Sequence, residues 1–437
     1  MTDTAYPPRR LGAYVVVILL VTSLCSYLDR HVMALVVPAI KQDLHVTDTQ
    51  ISLLTGLAFA LFYATASIPL GWAADKWHRR NLIVAGITIW SIATVASGLA
   101  DSYTDLLIAR VFVGFGEAAL IPAAFSIIAD YFPPHQRGRA FGIFSIGLFA
   151  GAGLAFIVGG AILKSFGDAH TAVLPFIGET ALWKAAFIIV GLPGLFVGLL
   201  LLTVPEPKRI APPKLAASAG PPSTTLLRYF LSKPSTFVTV WGSYTLLSVV
   251  GFGFGAWATT MLVRKFDIPI SEAGFAVGLA SMIGGISGAL TGGALGDRWT
   301  LKGVRGAKFR LTLVWWIGSI PAVLLFTLGP NLPVAALGYF LLFLFNGVGY
   351  VSASAVFQDI VPPQLRGRAT AVWLLLTGLA GSGLGPWVVA RITDGVFKDE
   401  AALPYSLLVL ALPTIALGLL ASLNGLKLYD AAKDELG

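Results

Sequence analysis

Gly71-Trp72-Ala73-Ala74-Asp75-Lys76-Trp77 returns 222 positions later as Gly293-Ala294-Leu295-Gly296-Asp297-Arg298-Trp299. A second phrase is also repeated. Asp130, Pro133, Pro134, Arg137, Gly138, Arg139 and Ala140 recur, 229 positions on, as Asp359, Pro362, Pro363, Arg366, Gly367, Arg368 and Ala369. Self-similarity at about half the chain length means two copies of one folding unit. In a membrane protein, two such halves around a central site are the build of a secondary transporter.

Composition puts the chain in a membrane. Of 437 residues, 56% are hydrophobic and 12% charged, with a mean hydropathy of +0.80. A soluble domain of this size needs more charge to cover its surface. Gly is abundant, at 48 residues, as suits helices that pack closely in lipid. The net charge of +8 lies in short loops between apolar stretches, which points to membrane orientation and away from nucleic acid. Arg9 and Arg10 precede an apolar run without a small-residue cleavage pattern, so that run reads as an uncleaved first helix.

Apolar stretches of bilayer-spanning length fall near 12–38, 51–74, 82–100, 104–130, 138–163 and 181–203. Six more fall near 234–263, 271–296, 308–328, 332–358, 367–391 and 404–426. The expected fold is therefore an all-α membrane protein of twelve transmembrane helices in two pseudosymmetric six-helix bundles. The bundles cover 1–203 and 234–437, joined by a proline-rich linker at 204–233. With the N-terminus cytoplasmic, 21 Lys and Arg residues lie on the cytoplasmic side and 6 opposite; Arg30, Arg110 and Lys184 fall in or at the ends of helices. The bias puts both termini inside, and both repeated phrases on the cytoplasmic face of a cell (inner) membrane.

The repeated loops have two readings. Their charges are topology signals, or they latch the halves across a cytoplasmic gate. In the latch, Asp75 faces Arg366 and Arg368, and Asp297 faces Arg137 and Arg139, while Gly71 and Gly293 let helix ends approach. Gly71, Asp75, Lys76, Arg79 and Arg80, echoed by Gly293, Asp297 and Arg298, form a Gly-x-x-x-Asp-basic pattern. It resembles the signature of the major facilitator superfamily, and Arg110-x-x-x-Gly114-x-Gly116 resembles a second one. The resemblance covers about 12–426 and implies two bundles working by rocker-switch alternating access. Ala152 stands where the superfamily's antiporter-type motif carries proline, which weakens an antiport reading.

A charge at bilayer depth costs at least about 3 kcal/mol and needs a partner or a purpose. The first half carries four: Asp29 and Arg30 in helix 1, Arg110 and Glu117 in helix 4. Arg110, Gly114 and Glu117 share one helix face, whereas Asp29 and Arg30 point about 100° apart. They form either a structural ion network or a site in which Asp29 and Glu117 carry protons and Arg30 and Arg110 take an anionic head group. Ser26-Tyr27-Leu28-Asp29-Arg30-His31 and Gly114-Phe115-Gly116-Glu117-Ala118 narrow the resemblance to the spinster-like branch, with the anion:cation symporter branch second. The first implies proton-linked movement of lysophospholipids or sphingoid phosphates, the second symport of sugar acids.

The second half has small hydroxyls and aromatics in its membrane stretches, including Tyr244, Asn346, Trp241, Phe252, Phe254, Trp257 and Trp373. A sugar acid needs a partner for each buried hydroxyl, so this lining favours an amphiphile. Tyr27, Tyr244 and Asn346 join Arg30 and Arg110 as expected substrate contacts. No cofactor or metal is expected, because the five histidines cannot assemble a cluster. A monomer in the bilayer is expected; a membrane-embedded enzyme is the alternative of another class.

Overall fold

The computed structural model describes residues 6–165, 171–174, 178–209, 225–362 and 365–435. Among them, twelve helices are long and apolar enough to cross a membrane. They are α1 (Arg9–Leu44), α2 (Asp48–Lys76), α3 (Arg79–Ser97), α4 (Tyr103–Tyr131), α5 (Pro134–Ser165) and α6 (Leu182–Leu201). Then follow α7 (Pro234–Phe266), α8 (Ile270–Leu301), α9 (Ala307–Leu328), α10 (Leu332–Asp359), α11 (Arg366–Gly378, continuing to Phe397) and α12 (Leu403–Asp434). The protein is a multi-pass membrane protein.

Three local features depart from the expected spans. α1 runs through Pro38 to Leu44, as prolines are tolerated inside membrane helices. A short hairpin, β1 (Thr171–Leu174) and β2 (Gly178–Ala181), pairs antiparallel before α6. In the part of the linker that is described, Leu226–Ser232 forms a helix capped by the Thr225 hydroxyl, which accepts from the Arg228 amide.

The chain divides into two compact units, 1–210 with 256–278, and 211–255 with 279–437. The boundaries fall inside α7 and α8, so the segment 256–278 packs as part of the first unit. In that unit α1 lies against α5 and α6, α3 against α4 and α6, and α2 against α4. Val15, Leu19, Ile83, Ile87, Trp90, Val113, Ala123 and Ile127 fill its core. In the second unit α9 packs on α10 and α12, and Trp315, Trp316 and Phe326 are fully buried.

Glycine sets the α3–α4 spacing. A Cβ on Gly86 would stand 2.7 Å from the Gly116 carbonyl oxygen, and one on Gly116 2.7 Å from that of Gly86. Backbone meets backbone, so neither side can yield. Gly86→Val is expected to destabilise the first unit by about 1–3 kcal/mol, seen as a lower thermal denaturation midpoint in detergent; an unchanged midpoint would mean the crossing relaxes freely.

Candidate substrate and ion site

Two helix irregularities position the charged groups. Pro122 has no N–H for the Ala118 carbonyl, and α4 breaks at Ala118 and Ala119, where the Ala119 amide reaches only Gly116. Glu117 is the last residue before this break. In α2 a π-helical turn spans Leu53–Leu57; such turns re-aim the side chains that follow them. Phe59 and Tyr63 come next, one turn apart, and their rings stack at 5.6 Å.

The structure brings Asp29, Arg30, Arg110 and Glu117 together. Arg30 pairs with Glu117: its Nε donates to Oε2 at 3.1 Å, and its Nη2 donates to the same oxygen. Three rings surround the guanidinium, Phe59 at 4.4 Å, Tyr63 at 5.2 Å and Tyr27 at 5.3 Å. Desolvated contacts of this kind contribute up to about 2 kcal/mol each. Arg110 also lies over Phe59, at 5.7 Å, and its Nη1 donates to the Asp29 backbone carbonyl at 3.4 Å.

The remaining polar atoms stay open. Asp29, Arg110 and Glu117 are each at most 1% exposed. Both carboxylate oxygens of Asp29, Nε and Nη2 of Arg110, and Oε1 of Glu117 meet no partner with hydrogen-bond geometry among the described residues, although the polar side chains of Trp90 and Thr94 approach the Asp29 carboxylate. Buried charged groups left so are costly, and in a membrane helix they mark function. Adjacent residues on a helix diverge by about 100°, so Arg30 closes on Glu117 while Asp29 faces Arg110.

Arg79, expected at the gate, is fully buried and its hydrogen bonds fall within its own unit. Its Nε donates to Glu206 at 2.7 Å, its Nη1 to Asp130 and to the Ser126 hydroxyl and carbonyl at 2.9 and 3.2 Å, and its Nη2 to the Pro207 carbonyl at 2.9 Å. The fork ties the start of α3 to the end of α4 and the segment after α6. Glu206, which sequence reasoning passed over, also accepts from the Arg80 amide at 2.9 Å. The second unit repeats the scheme at Asp359, which accepts from Lys308 at 3.3 Å and the Tyr429 hydroxyl at 2.7 Å.

Asp75, Lys76, Arg139, Asp297 and Arg298 are exposed, with Lys76 over the Trp72 ring at 4.2 Å. The side chains of Arg137, Arg366 and Arg368 lie outside the described residues. No described atom comes within 4 Å of a Cβ placed on Gly71 or Gly293.

Tyr27 stacks on His31 at 6.3 Å beside Arg30. Tyr244 is buried, with its hydroxyl 2.7 Å from that of Ser352, and Asn346 sits against α7 at Gly251. Phe254 and Trp257 belong to buried packing rather than to an open lining, whereas Phe252 is exposed. A second charged cluster, also missed, lies in the first unit. The buried Asp48 carboxylate accepts from Lys41 at 2.5 Å and from both terminal nitrogens of Arg264 at 2.7 and 2.9 Å. The only cue in the sequence was the Thr47–Gln50 capping box that begins α2. Lys184 donates to Asp101 at 2.6 Å, and this hydrogen bond holds the exposed Asp101 carboxyl below its ordinary range. Among the described residues, no three His, Cys, Asp or Glu side chains are placed to hold a metal.

Twelve membrane helices in duplicated halves, with ionisable groups gathered between α1 and α4, define a secondary transporter. The sequence profile of the Major Facilitator Superfamily matches residues 19–386, and the chain belongs to that family. Within it the chain is spinster-like. It is 28% identical over 411 residues to protein spinster homolog 1 of Xenopus laevis, covering 89% of this chain and 74% of that protein. It is 29% identical over 409 residues to an MFS-type efflux pump of Mycolicibacterium smegmatis, covering 92% and 89%. The crystal structure of a bacterial homologue of the human lysosomal transporter Spinster superposes with a TM-score of 0.76 at 27% identity, over 98% of both chains.

Arg79→Ala removes the donors that Glu206, Asp130 and the Pro207 carbonyl share, and the expected loss is about 3–5 kcal/mol. Thermal denaturation in detergent checks this. Arg79→Lys is expected to recover only part, since three donors on one nitrogen cannot span acceptors held by a planar fork.

Proposed function

We propose that the chain is a proton-coupled transporter of an anionic amphiphile, of the lysophospholipid or sphingoid-phosphate kind, working by alternating access in a cell membrane with both termini cytoplasmic. One observation carries the reading: the open donors of Arg110 lie beside an Asp29 carboxylate that meets no partner with hydrogen-bond geometry. An anionic head group that accepts from Arg110 Nε and Nη2 satisfies buried donors, and a proton on Asp29 removes a buried charge. Arg30 is held by Glu117 and three rings, so Arg110 takes the anion first. Glu117, with one oxygen on Arg30 and one open, is the second proton carrier; its protonation loosens Arg30.

The second unit supports an amphiphile over a sugar acid. Several of its buried hydroxyls are paired with one another or with the Trp316 indole. Ser243 and Ser422 lie 2.6 Å apart, the Trp316 indole donates to both at 3.0 Å, and the Thr312 hydroxyl donates to Ser422 at 3.1 Å. Tyr244 holds Ser352. A polyhydroxylated ligand would have to break these bonds, whereas an acyl chain would leave them in place.

The test is uptake into proteoliposomes under an imposed pH gradient, with lysophosphatidylglycerol and glucuronate as parallel probes. Gradient-driven uptake of the lysolipid and none of glucuronate is expected. Arg110→Ala removes charge-assisted hydrogen bonds of about 1.5–3 kcal/mol and is expected to cut uptake by roughly 10- to 100-fold. Asp29→Asn and Glu117→Gln are expected to leave downhill movement and abolish gradient drive. Uptake of glucuronate alone refutes the substrate class. Wild-type, gradient-driven uptake by all three variants refutes the site.

A further inference from the structure

Phe59 stands at the centre of the cluster. It is 2% exposed, and it is the one described ring that both arginines lie over, Arg30 at 4.4 Å and Arg110 at 5.7 Å. Two guanidinium ions in one apolar site repel each other, and the electron-rich face of a ring attracts both. Asp29 would be the natural partner for Arg110, yet Arg110 reaches the Asp29 backbone carbonyl at 3.4 Å and no oxygen of its carboxylate.

The placement of Phe59 is built into the backbone on both sides. The π-helical turn Leu53–Leu57 ends two residues before it. On α4, a Cβ at Gly114 would stand 2.8 Å from the Phe59 carbonyl oxygen and 3.3 Å from its ring. Only glycine there lets α2 come close enough to lay the ring against the guanidinium groups. Gly114 is one turn from Arg110 on the same helix face, so the contact that seats Phe59 and the charge it faces are fixed together.

We propose that Phe59 is a positioning residue whose ring holds Arg110 off the Asp29 carboxylate. The carboxylate is thereby kept free to take a proton and Arg110 free to receive an anion. This rests on the proton and head-group roles proposed above, but the spacing itself is testable without any substrate. Dicyclohexylcarbodiimide reacts with protonated carboxyl groups in apolar surroundings, and mass spectrometry reads its adduct residue by residue.

The experiment labels the purified full chain in detergent at neutral pH. Phe59→Leu keeps an apolar side chain of similar size and removes the ring. Arg110 then closes on Asp29, and labelling of Asp29 is expected to fall about tenfold or more, as when a cation comes within about 4–6 Å of a carboxylate. Phe59→Tyr, which keeps the ring, is expected to label like wild type. Gly114→Ala, which keeps the phenylalanine at 59 but pushes α2 and its ring away, is expected to fall with Phe59→Leu. Thermal denaturation confirms that each variant is folded; Gly114→Ala decides the matter if Phe59→Leu is not. Wild-type labelling of Asp29 in a folded variant without the seated ring overturns the proposal, as does equal loss in Phe59→Tyr. If labelling follows the ring but neither lysophosphatidylglycerol nor glucuronate is transported, the spacer stands and the substrate reading falls.

Discussion

An ion in hydrocarbon must either meet its counter-ion or stand ready for one. Two arginines and two carboxylates occupy the space between α1 and α4, enough for two complete pairs, and one pair closes. Arg30 meets Glu117 inside an aromatic surround, while Asp29 and Arg110 are buried side by side without joining. Nearby backbone irregularities serve this arrangement. Pro122 breaks α4 just after Glu117, the π-helical turn of α2 comes just before Phe59, and Gly114 admits that ring.

The duplication of the chain is preserved in the scaffold and lost in the chemistry. Asp130 and Asp359 close equivalent clamps at the ends of α4 and α10, with Arg79 and Glu206 in one unit and Lys308 and Tyr429 in the other. The partners differ although the position is kept, which fits a role in holding helix ends rather than in recognising a ligand. The ionisable cluster has no counterpart of this kind among the described residues. The second unit carries hydroxyls that satisfy one another, as at Ser243, Ser422 and Thr312, and an aromatic group around Phe357, with Trp241 at 5.5 Å and Trp373 at 4.2 Å.

The membership of the Major Facilitator Superfamily and the twelve spans were legible in the chain itself. The thickness of a bilayer sets a minimum apolar length, and repeated phrases such as 71–77 and 293–299 announce two halves. Helix ends were less legible. Residues 39–44 extend α1 beyond Pro38, and the paired strands at 171–174 and 178–181 are too short for periodicity to reveal.

What the sequence determined alone was the inventory: which residues are charged at membrane depth, and that Asp29, Arg30, Arg110 and Glu117 belong to two helices whose faces can meet. Which of them pair was decided by tertiary structure, because an ion pair depends on a few ångströms of approach between distant segments. Arg79 reads locally as a loop charge, yet its carboxylate partner Glu206 lies 127 residues away; Asp48 waits for Arg264 across 216. Phe59 reads as one more apolar residue until the path of α2 sets its ring against two guanidinium ions. Composition and hydrophobic length are properties of one segment and survive in the sequence; pairing is a property of two segments and exists only once they are packed.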